Sequence, residues 1–393
     1  MTTMPGADLA MTNQLTTIQL SEREKIKKYW PGAYEKQLRF DTNAENGVIS
    51  PILRLCWSYL CNMSCDHCCA EHYMDRHLVM LTGHKEQRRT LNLEDVSRIS
   101  EEAHNYGIFR FVMTGGEPTT WRDLFLVIKT VNPDKHLIFC DSNGWLLGDE
   151  FSGEDMVMRL ADAGIYKMQV SLDSFIEQDH DRFRNKPGSH KRVMAAIKSI
   201  LKTRMKLLIQ TCLVKGRAFT QEFKDLSQFC TDNSFMLYVT YDKPVGTSKE
   251  KLAGLVIGKE DADEVRRMEL AGQNITTHMT VPWVRSKDGA LGKYDGCITV
   301  KGINTITSTG EVVPCPYMDW SIGNILHEPL GLILDRGMRN RLLGPHRKDC
   351  LIGEDREFMA RHTQVVEERK ARGEVLLPVP YGEGFSDADL IPE

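Results

Sequence analysis

The sequence predicts an α/β protein, a partial (βα)6 barrel of parallel strands followed by a small module of β-hairpin and helix. Three observations predict it. From about residue 48 a short apolar, β-branched run, a turn with Gly, Asn or Asp, and an amphipathic stretch recur in that order, which is the pattern of βα units. Such units imply parallel strands joined by right-handed crossovers. Beyond residue 258 the pattern gives way to alternation around a Gly-containing turn, which reads as a hairpin. Finally, five of the eleven cysteines lie between Cys56 and Cys69, in the loop after the first strand and at its edge.

Residues 1–47 are polar apart from a helix-like stretch at "SEREKIKKYW" and are expected to form an N-terminal extension. Residues 48–258 hold the strand candidates "ISPILRLC", "FRFVMTG", "HLIFCDSN", "YKMQVSLD", "KLLIQTCLV" and "MLYVTYD". Helix candidates separate them. "NLEDVSRISEEAHNYG" has a cap at Asn92 and a stop at Gly107, and "SHKRVMAAIKSILKTR" carries the apolar period of a helix that covers a sheet. Residues 259–393 form the second module: a helix at "EDADEVRRMELAG", a hairpin in "ITVKGINTITSTGEVVPC", a charged helix in "EDREFMARHTQVVEERKARG" and an irregular tail.

A chain of 393 residues with 41% hydrophobic residues buries a core without staples, and its formal net charge of −4 is spread among interspersed signs. Neither nucleic acid nor anionic lipid is an expected partner. No targeting signal or membrane span is evident, so a cytoplasmic protein is expected, where clustered cysteines read as metal ligands or reactive thiols rather than disulfides.

Cys61, Cys65 and Cys68 are spaced C-x3-C-x2-C. Three thiolates from one loop can wrap three corners of a four-iron, four-sulfur cube and leave one iron open. The competing reading is structural zinc, with Cys69, His67 and His72 available to complete a tetrahedron. The second strand ends in "MTGGEPT", where Gly115 and Gly116 permit close approach to a ligand and Glu117 stands beside them, followed by Pro118. In a parallel sheet ligands bind at the C-terminal strand edges, and this turn and the cysteine loop both fall there.

The cysteine loop, the GGEP turn and the βα barrel together resemble the radical S-adenosylmethionine (SAM) superfamily over roughly residues 50–245. The resemblance implies that Cys61, Cys65 and Cys68 hold a 4Fe-4S cluster, that SAM chelates its open iron, and that the Gly115–Pro118 turn meets the methionine amino group. The position before the last cysteine, usually a larger aromatic, is His67 here. Ser142 and Asn143 end the third strand and Ser171 and Asp173 follow the fourth; each is placed to hydrogen-bond ribose or carboxylate, or to cap the next helix. Arg184 resembles an arginine that relatives place near the SAM carboxylate. Asp242 and Lys243, after the sixth strand, are candidates to face substrate. Cleaving SAM needs an electron from the low end of the cluster range, about −700 to +450 mV, which implies a flavodoxin or ferredoxin-like donor.

Cys297, Cys315 and Cys350 form a second set. A cysteine, a hairpin, Val-Pro-Cys and the segment "IGNI" resemble the twitch and SPASM extensions of this superfamily, which implies an auxiliary iron–sulfur module with a second 4Fe-4S cluster. Three cysteines match the shorter twitch type. Relatives often add a fourth where this chain has Gly353, so Asp349, His346, Asp355 and Cys230 are candidates for the missing ligand. The expected activity is dehydrogenation of a polar small molecule such as a sugar or cyclitol. A variant is epimerisation, with Cys212 or Cys140 returning the hydrogen. Alternatives are modification of a ribosomally made peptide and, from another class, a non-catalytic zinc or electron-transfer protein.

Overall fold

The structure, a computed structural model, describes residues 21–45, 52–70, 73, 89–248, 254, 257–277, 280–285, 291–374 and 377–392. Strands β1 (Ile52–Cys56), β2 (Arg110–Thr114), β3 (Leu137–Ser142), β4 (Ile165–Ser171), β5 (Lys206–Leu213) and β6 (Met236–Tyr241) pair in chain order, all parallel. These are the six strands read from the sequence. Side chains alternate across the sheet. Leu53, Leu55, Phe111, Met113, Ile138, Cys140, Ile209 and Leu213 enter the core shared with the covering helices, while Arg54, Asp141 and Cys212 alternate with them and face the lumen.

The helix Leu93–Tyr106 shows why the sequence folds this way. Asn92 and Asp95 form a reciprocal capping box, Gly107 closes the helix at φ 99°, and Val96, Ile99 and Ala103 fall on one buried face. Its amphipathic stripe has a single place to go, the outer face of the sheet.

The sheet extends further than six strands, to ten. After the helix Lys259–Leu270, β7 (Ile275–Thr277) adds in parallel to β6. A separate antiparallel pair, β8 (Thr280–Arg285) and β9 (Leu291–Asp295), follows. The expected hairpin forms as β10 (Ile303–Ile306) and β11 (Glu311–Val313), with β12 (Gly323–Asn324) antiparallel to β11. β10 pairs in parallel with β1, Arg54 opposite Thr305, so the sheet runs without a break from the barrel into the C-terminal segment. The charged helix Arg356–Ala371 starts at Asp355, whose carboxylate accepts from Phe358 N at 2.9 Å.

The N-terminal segment packs more tightly than an extension implies. Helices Glu22–Tyr29 and Pro31–Glu45 set Ile26, Trp30 and Ala33 against Phe109, Val112, Leu137, Phe139 and Tyr166, a second apolar cluster at the N-terminal ends of β2 to β4. Trp30 Nε1 donates to the Gly164 carbonyl at 3.1 Å. The polar lumen opens at the other end. No described helix is long and apolar enough to cross a membrane.

Candidate functional site

The cysteine loop, residues 57–70, is clamped from three sides. Gly116 N donates to Ser58 O at 3.1 Å and Glu117 N to Leu60 O at 2.8 Å. A Cβ on Gly115 would lie 2.4 Å from Cys56 Sγ, and one on Gly116 would lie 2.2 Å from Leu60 O. The two glycines thus make room for the cysteine loop, where the sequence suggested room for a ligand. Gly246, at φ 58°, packs against the Cys68 carbonyl, which accepts from Thr247 N at 3.0 Å. On the third side Asn185 Nδ2 donates to Ser64 O at 2.8 Å and to Asp66 Oδ1 at 2.6 Å.

Held in this way, Cys61, Cys65 and Cys68 are half-buried neighbours. Burial pushes the Cys68 thiol well up, and the nearby Cys69, Cys65 and Cys61 push it further, so three thiolates close together call for a cation to balance them. Cys65, also raised by burial, is eased by Arg184, whose Nη1 lies 3.8 Å from its sulfur. His67 stacks on Phe183 with ring centroids 4.3 Å apart, and burial lowers its pKa to about 3, which keeps it neutral. Of the zinc candidates, His72 lies outside the described residues. Among the described residues no three His, Cys, Asp or Glu side chains converge on a point that holds a single metal ion. Cys69 lines a cavity with Arg54, Tyr59, Tyr73 and Thr305.

The strand ends are tied to that loop. Glu117 is buried and accepts four hydrogen bonds: from Thr119 N (3.2 Å), Thr119 Oγ1 (2.6 Å), Ser142 Oγ (2.8 Å) and Asn143 N (2.7 Å). Its carboxylate therefore joins the turn after β2 to the end of β3. Pro118 opens the short turn Pro118–Thr120 that follows. Asn143 Nδ2 donates to Asn62 Oδ1 at 2.8 Å and lies 3.9 Å from Cys61 Sγ. Asp173 receives Arg184 Nε at 2.6 Å and Cys212 N at 2.9 Å. Burial alone would raise its pKa, but Arg184, then His67, His180 and Arg217, hold it well below the usual carboxylate range. Ser171 ends β4 half-buried, in register with Gln210. The sequence reading missed Asn62, Asn185 and Gly246. "CNMSCDHCC" contains the first, and a glycine just past the sixth strand was the available signal for the last.

Inside the lumen Arg54 pairs with Asp141 at 2.9 Å and donates to Thr114 Oγ1 at 2.6 Å. Cys212 reaches the lumen, whereas Cys140 lies in the helix-side core. Tyr317 is electrostatically near Cys69, Cys212, Tyr238 and Cys315. Asp242 accepts from Ser248 Oγ at 2.5 Å, and burial raises its pKa to about 6 against the opposing pull of Ser248 and Lys243. Lys243 points to the C-terminal cysteines: a Cβ on Gly353 would lie 2.5 Å from its Nζ.

Cys297, Cys315 and Cys350, distant in sequence, come together. Gly296, at φ 155°, lets the chain lie against residue 347, and Cys297 N donates to Arg347 O at 2.9 Å. Cys350 N donates to Glu354 Oε2 at 2.6 Å. Burial first, then Cys297 and Cys350, push the Cys315 thiol well up. Of the candidate fourth ligands, Cys230 sits in the helix-side core, where burial alone raises it to about 12. Asp355 caps a helix and pairs with Arg347 at 2.5 Å. His346 and Asp349 are exposed, the former with Nε2 beside Gly296.

A parallel α/β barrel with a three-cysteine loop clamped at the C-terminal strand edge defines a class of cluster-bearing enzyme. Residues 56–230 match the Radical SAM superfamily, so the chain carries a Radical SAM domain. Such a domain implies a 4Fe-4S cluster and SAM. The half-buried thiols of Cys61, Cys65 and Cys68, with Arg184 and Asn143 donors beside them, fit a thiolate-held group open on one side. The chain is 23% identical to the AdoMet-dependent heme synthase of Oleidesulfovibrio alaskensis, over 75% of this chain and 77% of that protein. It is 27% identical to a GTP 3',8-cyclase of Clostridium perfringens, over 71% and 83%. In fold it resembles Streptococcus suis SuiB bound to its precursor peptide SuiA, with a TM-score of 0.52 at 17% identity over 84% of this chain and 73% of that one.

Proposed function

We propose that this enzyme uses Cys61, Cys65 and Cys68 to hold the SAM-binding cluster, and Cys297, Cys315 and Cys350 to hold a second, twitch-like 4Fe-4S cluster. It acts on a polar small molecule, such as a sugar or cyclitol, by dehydrogenation or epimerisation. When bound, the cluster and SAM would supply the radical chemistry that takes a hydrogen from the substrate. Everything else falls to the chain. Its Gly115–Gly116 turn and Glu117 fix the loop, Arg184, held by Asp173 beside Cys65, would hold SAM, and the closed N-terminal end of the barrel limits water.

The observation that carries this reading is that buried Tyr317 is electrostatically near Cys69 and Cys212 on the barrel side and Cys315 on the other. Cys69, next to Cys68 in the first loop, and Cys315 of the second set therefore border one polar lumen, lined by Arg54, Asp141, Cys212 and Tyr238. A substrate seated there lies between a radical source and an electron acceptor. The relatives named for heme synthesis and GTP cyclisation act on small molecules, which supports the same substrate class. A flavodoxin or ferredoxin-like protein supplies the first electron.

The test is anaerobic reconstitution, iron counting and assay of 5'-deoxyadenosine under dithionite, with and without a panel of polyols. Substituting Cys61, Cys65 and Cys68 together with Ala abolishes the nucleoside, whereas Cys69→Ala preserves it. Wild-type nucleoside formation by the triple variant would sink the assignment.

A further inference from the structure

We infer that Lys243 is a positioning residue of the C-terminal cysteine site, its ammonium seated beside Cys350 in a notch left by Gly353, where it sets the potential at which that site accepts an electron. The inference rests on the proposed second cluster. Lys243 comes from the barrel, two residues past the end of β6, and is buried. Its neighbour Asp242 turns to Ser248, and Lys243 crosses to the segment that carries Cys350.

The glycine is there for space. Gly353 is not among the residues with positive φ, so the missing side chain does not serve an unusual backbone conformation. What it leaves is room, and the side chain of Lys243 fills it: a Cβ at 353 would meet Nζ at 2.5 Å and both Cδ and Cε at 3.2 Å.

Of the neighbouring cations, Lys301 is electrostatically near Cys297, and neither it nor Arg347 is among the influences on Cys350. Lys301 donates to the carbonyls of Leu343 and Pro345, and Arg347 pairs with Asp355. Burial raises the Cys350 thiol, and the strongest electrostatic influence opposing it is Lys243. Three thiolates already make the site anionic, and an added electron makes it more so. A buried ammonium at its edge favours the reduced state, because net charge and burial are what set cluster potentials.

The experiment is an EPR-monitored redox titration of reconstituted wild type, Lys243→Met, Lys243→Arg and Gly353→Ala. The N-terminal cluster is recognised by its response to added SAM. In Lys243→Met the C-terminal midpoint falls so that the reduced fraction drops about tenfold at a fixed potential, about 59 mV for one electron. Lys243→Arg restores most of it. Gly353→Ala shifts it the same way with no charge removed, because the new methyl group displaces the ammonium, and this variant decides the matter if Lys243→Met cannot hold iron. An unmoved midpoint in both Lys243→Met and Gly353→Ala would overturn the inference and leave the second cluster standing. A wild-type protein with one cluster would overturn both.

Discussion

Arg184 donates to Asp173 through Nε at 2.6 Å while its Nη1 lies 3.8 Å from the sulfur of Cys65. One guanidinium thus joins the helix Glu177–Arg184, the end of β4 and the cysteine loop, and Asp173 passes the connection on to β5 through Cys212 N at 2.9 Å. The pair is buried, with 9% and 3% of the two side chains exposed. A buried pair contributes little net stability when intact, but breaking it strands a charge.

Replacing Arg184 with Ala therefore costs about 3–5 kcal/mol of folding stability, and Asp173→Asn, which leaves the buried Arg184 guanidinium without its carboxylate, costs a similar amount. Chemical denaturation reads both. The sign with pH follows from the carboxylate. The folded pKa of Asp173 lies below its unfolded value of about 3.9, so its contribution is present above that value and is lost as pH falls through the folded pKa. The wild type loses stability steeply below about pH 4, and Asp173→Asn loses it less steeply. Parallel curves would remove the pair from the stability account.

Gly116→Ala is expected to unseat the cysteine loop. The new Cβ would lie 2.2 Å from Leu60 O, a backbone atom that moves only with the loop. Overpacking of this kind costs about 1–3 kcal/mol. The variant folds, as judged by circular dichroism, but retains less iron at the N-terminal site and converts SAM more slowly. Normal iron and normal nucleoside formation would show that the loop tolerates displacement.

Trp30→Ala should cost about 3–5 kcal/mol, the range for emptying a buried large aromatic site. Trp30 is 3% exposed, meets Tyr166 edge-on at 5.0 Å and donates to Gly164 O. A shift of the denaturation midpoint by less than a third of that would mean the two N-terminal helices are loosely attached.

That N-terminal seal also marks where sequence reading ran out. Ile26, Trp30 and Ala33 are too few apolar positions in a polar segment to announce a buried face, because their partners on β2 to β4 lie far along the chain. The six barrel strands were legible since each carries its own alternation and its own turn chemistry. The pairing of β10 with β1 was not, because a register such as Arg54 opposite Thr305 joins residues that no local pattern relates. Cysteine spacing marked the loop, yet the purpose of Gly115 and Gly116 emerged only when Ser58 and Leu60 were found against them. The direction of Lys243 was equally hidden: a residue just past a strand end points to lumen or neighbour according to packing.

The last prediction separates the two cysteine sets. If Cys297, Cys315 and Cys350 hold the proposed second cluster, the variant with all three changed to Ala contains about half the wild-type iron, since each cluster has four irons. It still cleaves SAM, because the loop clamps at Gly116, Asn185 and Gly246 involve none of the three. It forms little or no product, because a substrate radical in the lumen has lost its electron acceptor on the Tyr317 side. Circular dichroism must accompany the iron count: β10 is hydrogen-bonded to β1, so unfolding of the C-terminal segment would expose the barrel edge and mimic a catalytic defect. A folded variant with full iron, or with undiminished turnover, would reduce the three cysteines to core residues and take dehydrogenation with them.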